Sequence, residues 1–75
     1  MKIIVETGKW AERYVKNRVT QLDINEGATI VHIANALNIP VAETGLAVLN
    51  GKAVSKTHVF KDGDMIRLNP IIIGG

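Results

Sequence analysis

The chain has 75 residues, 47% of them apolar and 21% charged, which is typical of one small folded domain and too apolar for intrinsic disorder. Nine basic and seven acidic residues give a net charge of +2, which argues against a nucleic-acid partner because small nucleic-acid binders are usually more basic. The absence of cysteine excludes a disulfide, a zinc–thiolate site and a cysteine nucleophile. No apolar run is long enough for a signal peptide or a membrane span, so we expect a cytoplasmic protein with no membrane partner.

The first part of the chain predicts two strands. Residues 1–6 are rich in β-branched side chains, and residues 19–24 alternate so that Leu22 and Ile24 share one face. The segment between them, residues 8–18, is largely polar and predicts a long hairpin arm or a loop. We interpret its Trp10 and Tyr14 as packing residues, in preference to a platform for stacking bases.

The middle of the chain predicts one amphipathic helix. Thr29 is placed to cap it, and apolar residues then recur on one face at Ile30, Ile33, Ala34 and Leu37. Asn38 suits a left-handed exit from the helix, and Pro40 prevents its continuation. A helix with one apolar stripe must cover a second layer, so the pattern favours a sheet beneath it.

The last part of the chain predicts three strands joined by turns. Residues 46–49 indicate a buried strand, and Asn50-Gly51 is typical of a tight hairpin turn that leads into residues 52–54. A second turn over residues 61–64 precedes an alternating strand over residues 65–68. The predicted order of elements is therefore ββαβββ.

This order and several motifs resemble the ubiquitin-like sulfur carriers of the ThiS and MoaD type. The motifs are Glu26-Gly27-Ala28-Thr29, Val48-Leu49-Asn50-Gly51-Lys52, Lys61-Asp62-Gly63-Asp64 and the closing Leu68-Asn69-Pro70-Ile71-Ile72-Ile73-Gly74-Gly75. The resemblance covers residues 19–75 and is poor over the opening arm. It implies an α+β fold, a ubiquitin-like β-grasp in which one helix packs on one face of a mixed sheet of about five strands. We expect the β-grasp domain over residues 1–70 and a flexible Gly-Gly tail over residues 71–75.

The resemblance also implies a cosubstrate that carries sulfur, not an enzyme. An E1-like adenylyltransferase of the ThiF/MoeB type would use ATP and Mg to adenylate the carboxylate of Gly75, and a sulfur donor would convert it to a thiocarboxylate. Thiazole synthase, in thiamine biosynthesis, or the large subunit of molybdopterin synthase, in molybdopterin biosynthesis, would then accept the sulfur. The chain itself is expected to bind no cofactor and no metal and to supply no catalytic residue.

The predicted tail suits the channel of a partner enzyme. Gly74 and Gly75 lack a Cβ and allow close approach, although a functionless frayed end is the alternative. Residues 71–75 could extend roughly 16 Å at about 3.3 Å per residue. Three apolar side chains would otherwise be exposed there, which favours a partner groove over a continuation of the last strand; they are Ile71, Ile72 and Ile73.

Several charged residues admit a functional and a structural interpretation. Lys52, Lys61 and Arg67 are predicted near the tail, where they could contact an acidic enzyme face or remain solvated. His32 and His58 have no thiolate to join them, so we interpret them as solvated residues, not metal ligands. The carboxylates of residues 62 and 64 flank a glycine and favour a turn over a paired-carboxylate site.

Two further functions remain open on the sequence. Gly75 could be conjugated to lysines of target proteins, as in related small modifiers, or the domain could be an inert β-grasp interaction module. Within the sulfur carriers, residues 47–52 look more like the thiamine branch, whereas Pro70 before the tail resembles the molybdopterin branch. The interpretation leans slightly to a ThiS-like carrier.

Overall fold

The computed structural model describes residues 1–70, and residues 71–75 lie outside the described residues. Six main elements follow in chain order: β1 (Lys2–Glu6), β2 (Val19–Asp23), α1 (Ile30–Ala36), β3 (Thr44–Leu49), β4 (Lys52–Val54) and β5 (Met65–Pro70). Short 3₁₀ turns occupy Lys9–Ala11 and Val41–Glu43. The predicted order ββαβββ is confirmed. No helix in residues 1–70 has the length and apolarity that crossing a membrane requires.

The strands form one mixed sheet in the order β2-β1-β5-β3-β4. The central strands β1 and β5 are parallel, and the other neighbouring pairs are antiparallel. Helix α1 covers one face of this sheet, which we call the inner face. This arrangement is a ubiquitin-like β-grasp, so the predicted fold class is confirmed.

The hydrophobic core lies between α1 and the inner face of the sheet. The predicted helical stripe is confirmed, because Ile30, Ile33, Ala34 and Leu37 are all buried. Alternate residues of the strands meet this stripe, and they are Ile3, Val5, Ala47, Ile66 and Leu68. Burial of alternate side chains fixes each strand's register, since a shift of one residue would turn the apolar set outward.

Both ends of α1 follow the sequence signals. Thr29 is the N-cap in extended conformation, and its backbone N–H donates to Nδ1 of His32 at 3.1 Å. His32 thus occupies the position that a Glu or Gln takes in a capping box. At the other end Asn38 has the predicted left-handed conformation, with φ 59°.

The two turns before β4 and β5 have the predicted backbone conformations. Asn50 and Gly51 both have positive φ, at 53° and 80°, as a tight two-residue hairpin requires. In the second turn Gly63 has φ 86°, and the Asp64 carboxylate accepts a hydrogen bond from the Lys61 N–H at 2.8 Å. The Asp62 carboxylate accepts from the Lys2 N–H at 2.6 Å, which ties this turn to β1. The turn interpretation of the two aspartates is confirmed.

The strand predicted over residues 46–49 is confirmed within β3, but the prediction that it is buried was wrong for one of its two faces. Ala47 is buried, but Leu46 is 43% exposed, because β3 presents alternate side chains to the two faces of the sheet and only the inner face is covered by α1. The register between β3 and β5 shifts between Thr44 and Leu46, so one extra residue is accommodated at Gly45. This bulge allows both Thr44 and Ala47 to face the core.

Of the two alternatives for residues 8–18, the structure shows a loop. The Thr7 N–H donates to the Arg18 carbonyl at 2.7 Å, which closes the segment at its base. The 3₁₀ turn at Lys9–Ala11 places Ala11 in the core, where it is fully buried. Trp10 and Tyr14 are partly buried and pack against the core. Packing of the two aromatic residues is therefore confirmed, whereas the buried alanine was not predicted.

Candidate functional site

The residues to which the sequence assigns chemistry, Gly74 and Gly75, lie outside the described residues, as do Ile71, Ile72 and Ile73. The structure does describe where the preceding strand ends. Pro70 is the last residue of β5 and the register partner of Thr44 on β3. Because proline has no N–H to donate, it suits the end of a ladder. Residue 71 therefore follows the end of the sheet at which β3 starts.

Thr44 fixes this end of the sheet firmly. Its side chain is nearly completely buried, and its hydroxyl donates to the Val41 carbonyl at 2.7 Å. The hydroxyl is thus satisfied inside the core, which avoids the cost of a buried polar group without a partner. Pro70, the last described residue, therefore pairs with a buried and hydrogen-bonded residue of β3.

Arg67, one of the three predicted partner contacts, lies in the middle of the uncovered face of the sheet. Its guanidinium is 3.4 Å from the Glu6 carboxylate, its register neighbour on the parallel strand β1. Both side chains are about half exposed, so the pair contributes little to stability. Arg67 is therefore available to a partner only together with the carboxylate beside it.

Apolar side chains surround this ion pair. We call the uncovered surface the outer face. Its apolar and charged part consists of Ile4, Glu6, Val19, Leu46, Val48, Met65 and Arg67, and the register also places Lys2, Gln21, Asp23, Ala53 and Asn69 on this face. Most of the apolar and charged part, with the hairpin at Asn50-Gly51, lines a shallow groove of about 350 Å³. The combination of exposed apolar side chains with a central charge pair is typical of a protein-binding surface.

The structure does not bring Lys52 and Lys61 to the start of the tail. Lys52 pairs with Leu49, and Leu49 pairs with Ile66 near the beginning of β5. Lys61 belongs to the turn before β5, whose Gly63 N–H donates to the Lys2 carbonyl at 2.7 Å. Both lysines are exposed, but they lie at the end of β5 opposite to Pro70. The predicted proximity was wrong because it was inferred from sequence position and not from strand direction.

The described residues contain no cluster of three or more His, Cys, Asp or Glu side chains that could hold a metal ion. His32 is engaged at the N-terminus of α1, and His58 lies edge-on to Phe60 with ring centroids 5.0 Å apart. Each histidine therefore has a local structural contact.

Sequence reasoning missed the outer face as a site. The signal was present, because the outward positions of β1, β2 and β5 carry Ile4, Val19 and Met65 where an exposed face usually carries polar residues. What the sequence could not supply was the strand order. Only the adjacency of β1 and β5 brings Glu6 beside Arg67.

The fold defines a class, the ubiquitin-like β-grasp proteins. Within it, the family model for Mut7-C ubiquitin matches residues 2–73, and the chain belongs to that family. No curated protein is similar enough in sequence to be counted as a relative.

Solved structures with this fold come from several organisms. Small archaeal modifier protein 1 of Haloferax volcanii superposes with a TM-score of 0.73 at 19% identity, over 95% of this chain and 98% of that one. A putative molybdopterin converting factor subunit 1 of Pyrococcus furiosus gives 0.72 at 16% identity, with the same coverage. A chain of the complex of subunits 1 and 2 of the molybdopterin-converting factor of Helicobacter pylori gives a TM-score of 0.61 at 20% identity. The match covers 100% of this chain and 100% of that one. At these identities the likeness establishes the fold.

Proposed function

We propose that this protein is a sulfur carrier whose Gly75 carboxylate is adenylated by an E1-like enzyme and then converted to a thiocarboxylate. The observation that carries the proposal is the placement of Gly74 and Gly75 four and five residues beyond Pro70, the last ladder residue of a ubiquitin-like domain. In this role the chain is a cosubstrate and not an enzyme. Since adenylation consumes ATP, we place the protein in the cytoplasm.

The chemistry needs an activating partner. A terminal carboxylate has an ordinary pKa of about 3.3–3.7, so it is anionic and a poor electrophile at neutral pH. Attack of a carboxylate oxygen of Gly75 on the α-phosphorus of ATP would release pyrophosphate and form an acyl adenylate. Hydrosulfide released by the sulfur donor would then attack the acyl carbon, expel AMP and leave the thiocarboxylate, with no change of oxidation state. Mg in the activating enzyme would neutralise phosphate charge during the first step.

The acceptor of the sulfur is a second partner protein, either thiazole synthase or the large subunit of molybdopterin synthase. A partner of the synthase type is supported by the two-subunit complex among the structural neighbours. Residues 47–52 favour a ThiS-like carrier of the thiamine branch, and we retain that slight preference. Arg67 on the outer face would contact the partner. Lys52 and Lys61 would contact it only if the partner extends to the end of β5 opposite to Pro70.

A second candidate function is conjugation of Gly75 to lysines of target proteins. It is favoured by the similarity in fold to small archaeal modifier protein 1. Both functions begin with the same acyl adenylate, so they differ only in the nucleophile that displaces AMP. They are therefore distinguished by product and not by activation.

Intact-mass spectrometry after co-expression with an activating enzyme and a sulfur donor tests the proposal. We expect a species heavier by one oxygen-to-sulfur exchange. Deletion of Gly75, or the substitution Gly74→Val, should abolish it without unfolding the domain. Ala36→Val, which introduces the same valine at an exposed position of α1, is the control and should leave the species intact.

The outcomes separate the candidates. An isopeptide-linked ladder on a denaturing gel that disappears on deletion of Gly75 would favour the modifier. If no thiocarboxylate forms and ATP–pyrophosphate exchange is independent of Gly74 and Gly75, the sulfur-carrier proposal is wrong. An inert interaction module would then be the better description.

A further inference from the structure

Most of the large apolar side chains that are exposed in residues 1–70 lie on the outer face. Of the five large apolar side chains exposed in residues 1–70, three lie on this face: Val19 at 55%, Leu46 at 43% and Met65 at 63% exposure. Contiguous apolar surface of this kind is typical of an interface. The question is which partner the pattern on this face fits.

One cross-strand row of the outer face has a self-complementary order. The register places Val19 beside Glu6, Glu6 beside Arg67, and Arg67 beside Val48. The row therefore reads apolar, acidic, basic, apolar across β2, β1, β5 and β3. Reversal of its direction exchanges acid for base and leaves apolar residues at both ends.

We propose that a second copy of this chain packs on the outer face. The two copies are related by a two-fold axis midway between their facing sheets, which runs parallel to β1 and β5 and over the gap between these two strands. Such an axis reverses the row while keeping position along the strands. It places Glu6 of one copy opposite Arg67 of the other, and Val19 opposite Val48. Because the contact is isologous, the Glu6–Arg67 ion pair and the Val19–Val48 apolar pair each occur twice in the dimer.

The neighbouring row fits the same axis by shape. Ile4 and Met65 are register partners on the two central strands, one position before Glu6 and Arg67 on the outer face. Both side chains line the groove, Ile4 half-buried and Met65 exposed. The axis brings Met65 of each copy onto Ile4 of the other, so a long, adaptable side chain packs on a shorter, branched one.

A two-fold axis across the strands does not fit the charges. It would place Glu6 opposite Glu6 and Arg67 opposite Arg67, and like charges in an interface are strongly unfavourable. The charge pattern therefore selects one orientation. The net charge of +2 is also too small to oppose association at longer range.

The dimer has two expected properties. One face of a five-stranded sheet is at the low end of interface size, so association should be weak and visible mainly at high protein concentration. Because the axis preserves strand direction, both Pro70 residues lie at the same end of the dimer. This inference does not depend on the proposed sulfur chemistry, since neither Gly74 nor Gly75 takes part, but a second copy and the proposed partner enzyme would compete for Arg67.

Sedimentation velocity over a range of concentrations, with two charge-reversal variants, tests the proposal. The unchanged protein should increase in average mass with concentration. Glu6→Arg places two cations opposite each other and Arg67→Glu places two anions, so each variant alone should remain monomeric. A one-to-one mixture of the two variants should associate at least as strongly as the unchanged protein, because every facing pair is again of opposite charge.

Glu26→Arg and Lys56→Glu make the same charge changes at exposed positions away from the outer face. They should leave association unaltered, alone and when mixed, and circular dichroism should show all four variants folded. The proposal is wrong if the unchanged protein stays monomeric at millimolar concentration, as expected if only a different protein covers this face. It is equally wrong if either single variant still associates, or if the mixture does not.

A thiol cross-link checks the axis itself, since the chain has no cysteine of its own. Two face-packed sheets lie about 10 Å apart, within reach of a short bis-maleimide linker. Val19 and Val48 lie three strands apart in the sheet, so the axis places them opposite each other but separates two copies of either residue sideways by about 14 Å. Proteins carrying Val19→Cys and Val48→Cys, once mixed, should therefore be linked mainly to each other, as mass spectrometry can show. Predominant linkage of Val19→Cys protein to itself would overturn the proposed axis.

Discussion

Pro70 is paired in register with Thr44, which is buried in the core and bonded through its hydroxyl to the Val41 carbonyl at 2.7 Å. The last described residue of the chain thus lies beside a buried, hydrogen-bonded residue of β3. The described core contains no residue after Leu68. Recognition by partners can therefore be altered beyond Pro70 without removing a described core contact.

Ile73→Asp should weaken the complex with the activating enzyme and leave the domain folded. The substitution places a charge in a segment that we propose enters an apolar partner groove, where an unpaired carboxylate is costly. Binding can be measured by calorimetry, and folding by thermal denaturation. Val31→Asp, at an exposed apolar position of α1, is the matched control and should bind normally. A fall in thermal stability with Ile73→Asp and no selective loss of binding would show that the residue is structural.

Leu37→Ala should lower the free energy of unfolding by about 2–5 kcal/mol, because the leucine is buried at the end of α1 and its truncation leaves a cavity. Chemical denaturation provides the measurement. Leu46→Ala makes the same change at a half-exposed position and should cost clearly less. Equal losses in the two variants would contradict the burial pattern described above.

His32→Ala should destabilise the protein by roughly 0.5 kcal/mol, since it removes the acceptor for the Thr29 N–H at the start of α1. His32→Gln restores an acceptor that is common at this position of a capping box and should recover most of the loss. Both variants can be compared by urea denaturation. If the glutamine variant is no more stable than the alanine variant, the hydrogen bond is not the source of the effect.

Tyr14 should ionise at a higher pH than an ordinary tyrosine. Its hydroxyl donates to the Glu43 carboxylate, and this hydrogen bond, together with desolvation and the negative charge of Glu43, raises the pKa of Tyr14 above 10.0. A raised folded-state pKa means that the contribution to stability is present below the unfolded pKa and is lost as the pH rises through the folded value.

Glu43→Gln should move the pKa of Tyr14 back toward its ordinary value. Because Tyr14 is the only tyrosine, phenolate absorbance during an alkaline titration reports on it alone. The control is Glu12→Gln, which removes a carboxylate from the loop that contains Tyr14. Glu12 pairs with Arg18, so this variant should leave the titration of Tyr14 unchanged. An identical midpoint in the Glu43→Gln variant would contradict the proposed cause.

The sequence by itself determined the main features that depend on neighbouring residues, although not the two short 3₁₀ turns. The stripe from Ile30 to Leu37, the positive φ of Asn50 and Gly51, and the turn around Gly63 all follow from local spacing and local conformational preference. The motifs that resemble the sulfur carriers are of the same kind, because each lies within a few residues of chain. These features suffice for the order ββαβββ.

Only the tertiary structure decided which distant segments meet. The parallel pairing of β1 with β5 brings Glu6 beside Arg67, and the direction of β5 separates Lys61 from Pro70. The burial of Ala11 and the exposure of Leu46 likewise depend on what covers each face. Strand order and register are set by the sum of contacts between segments far apart in sequence, and a local pattern fixes which side chains share a face but not which strand lies next to it.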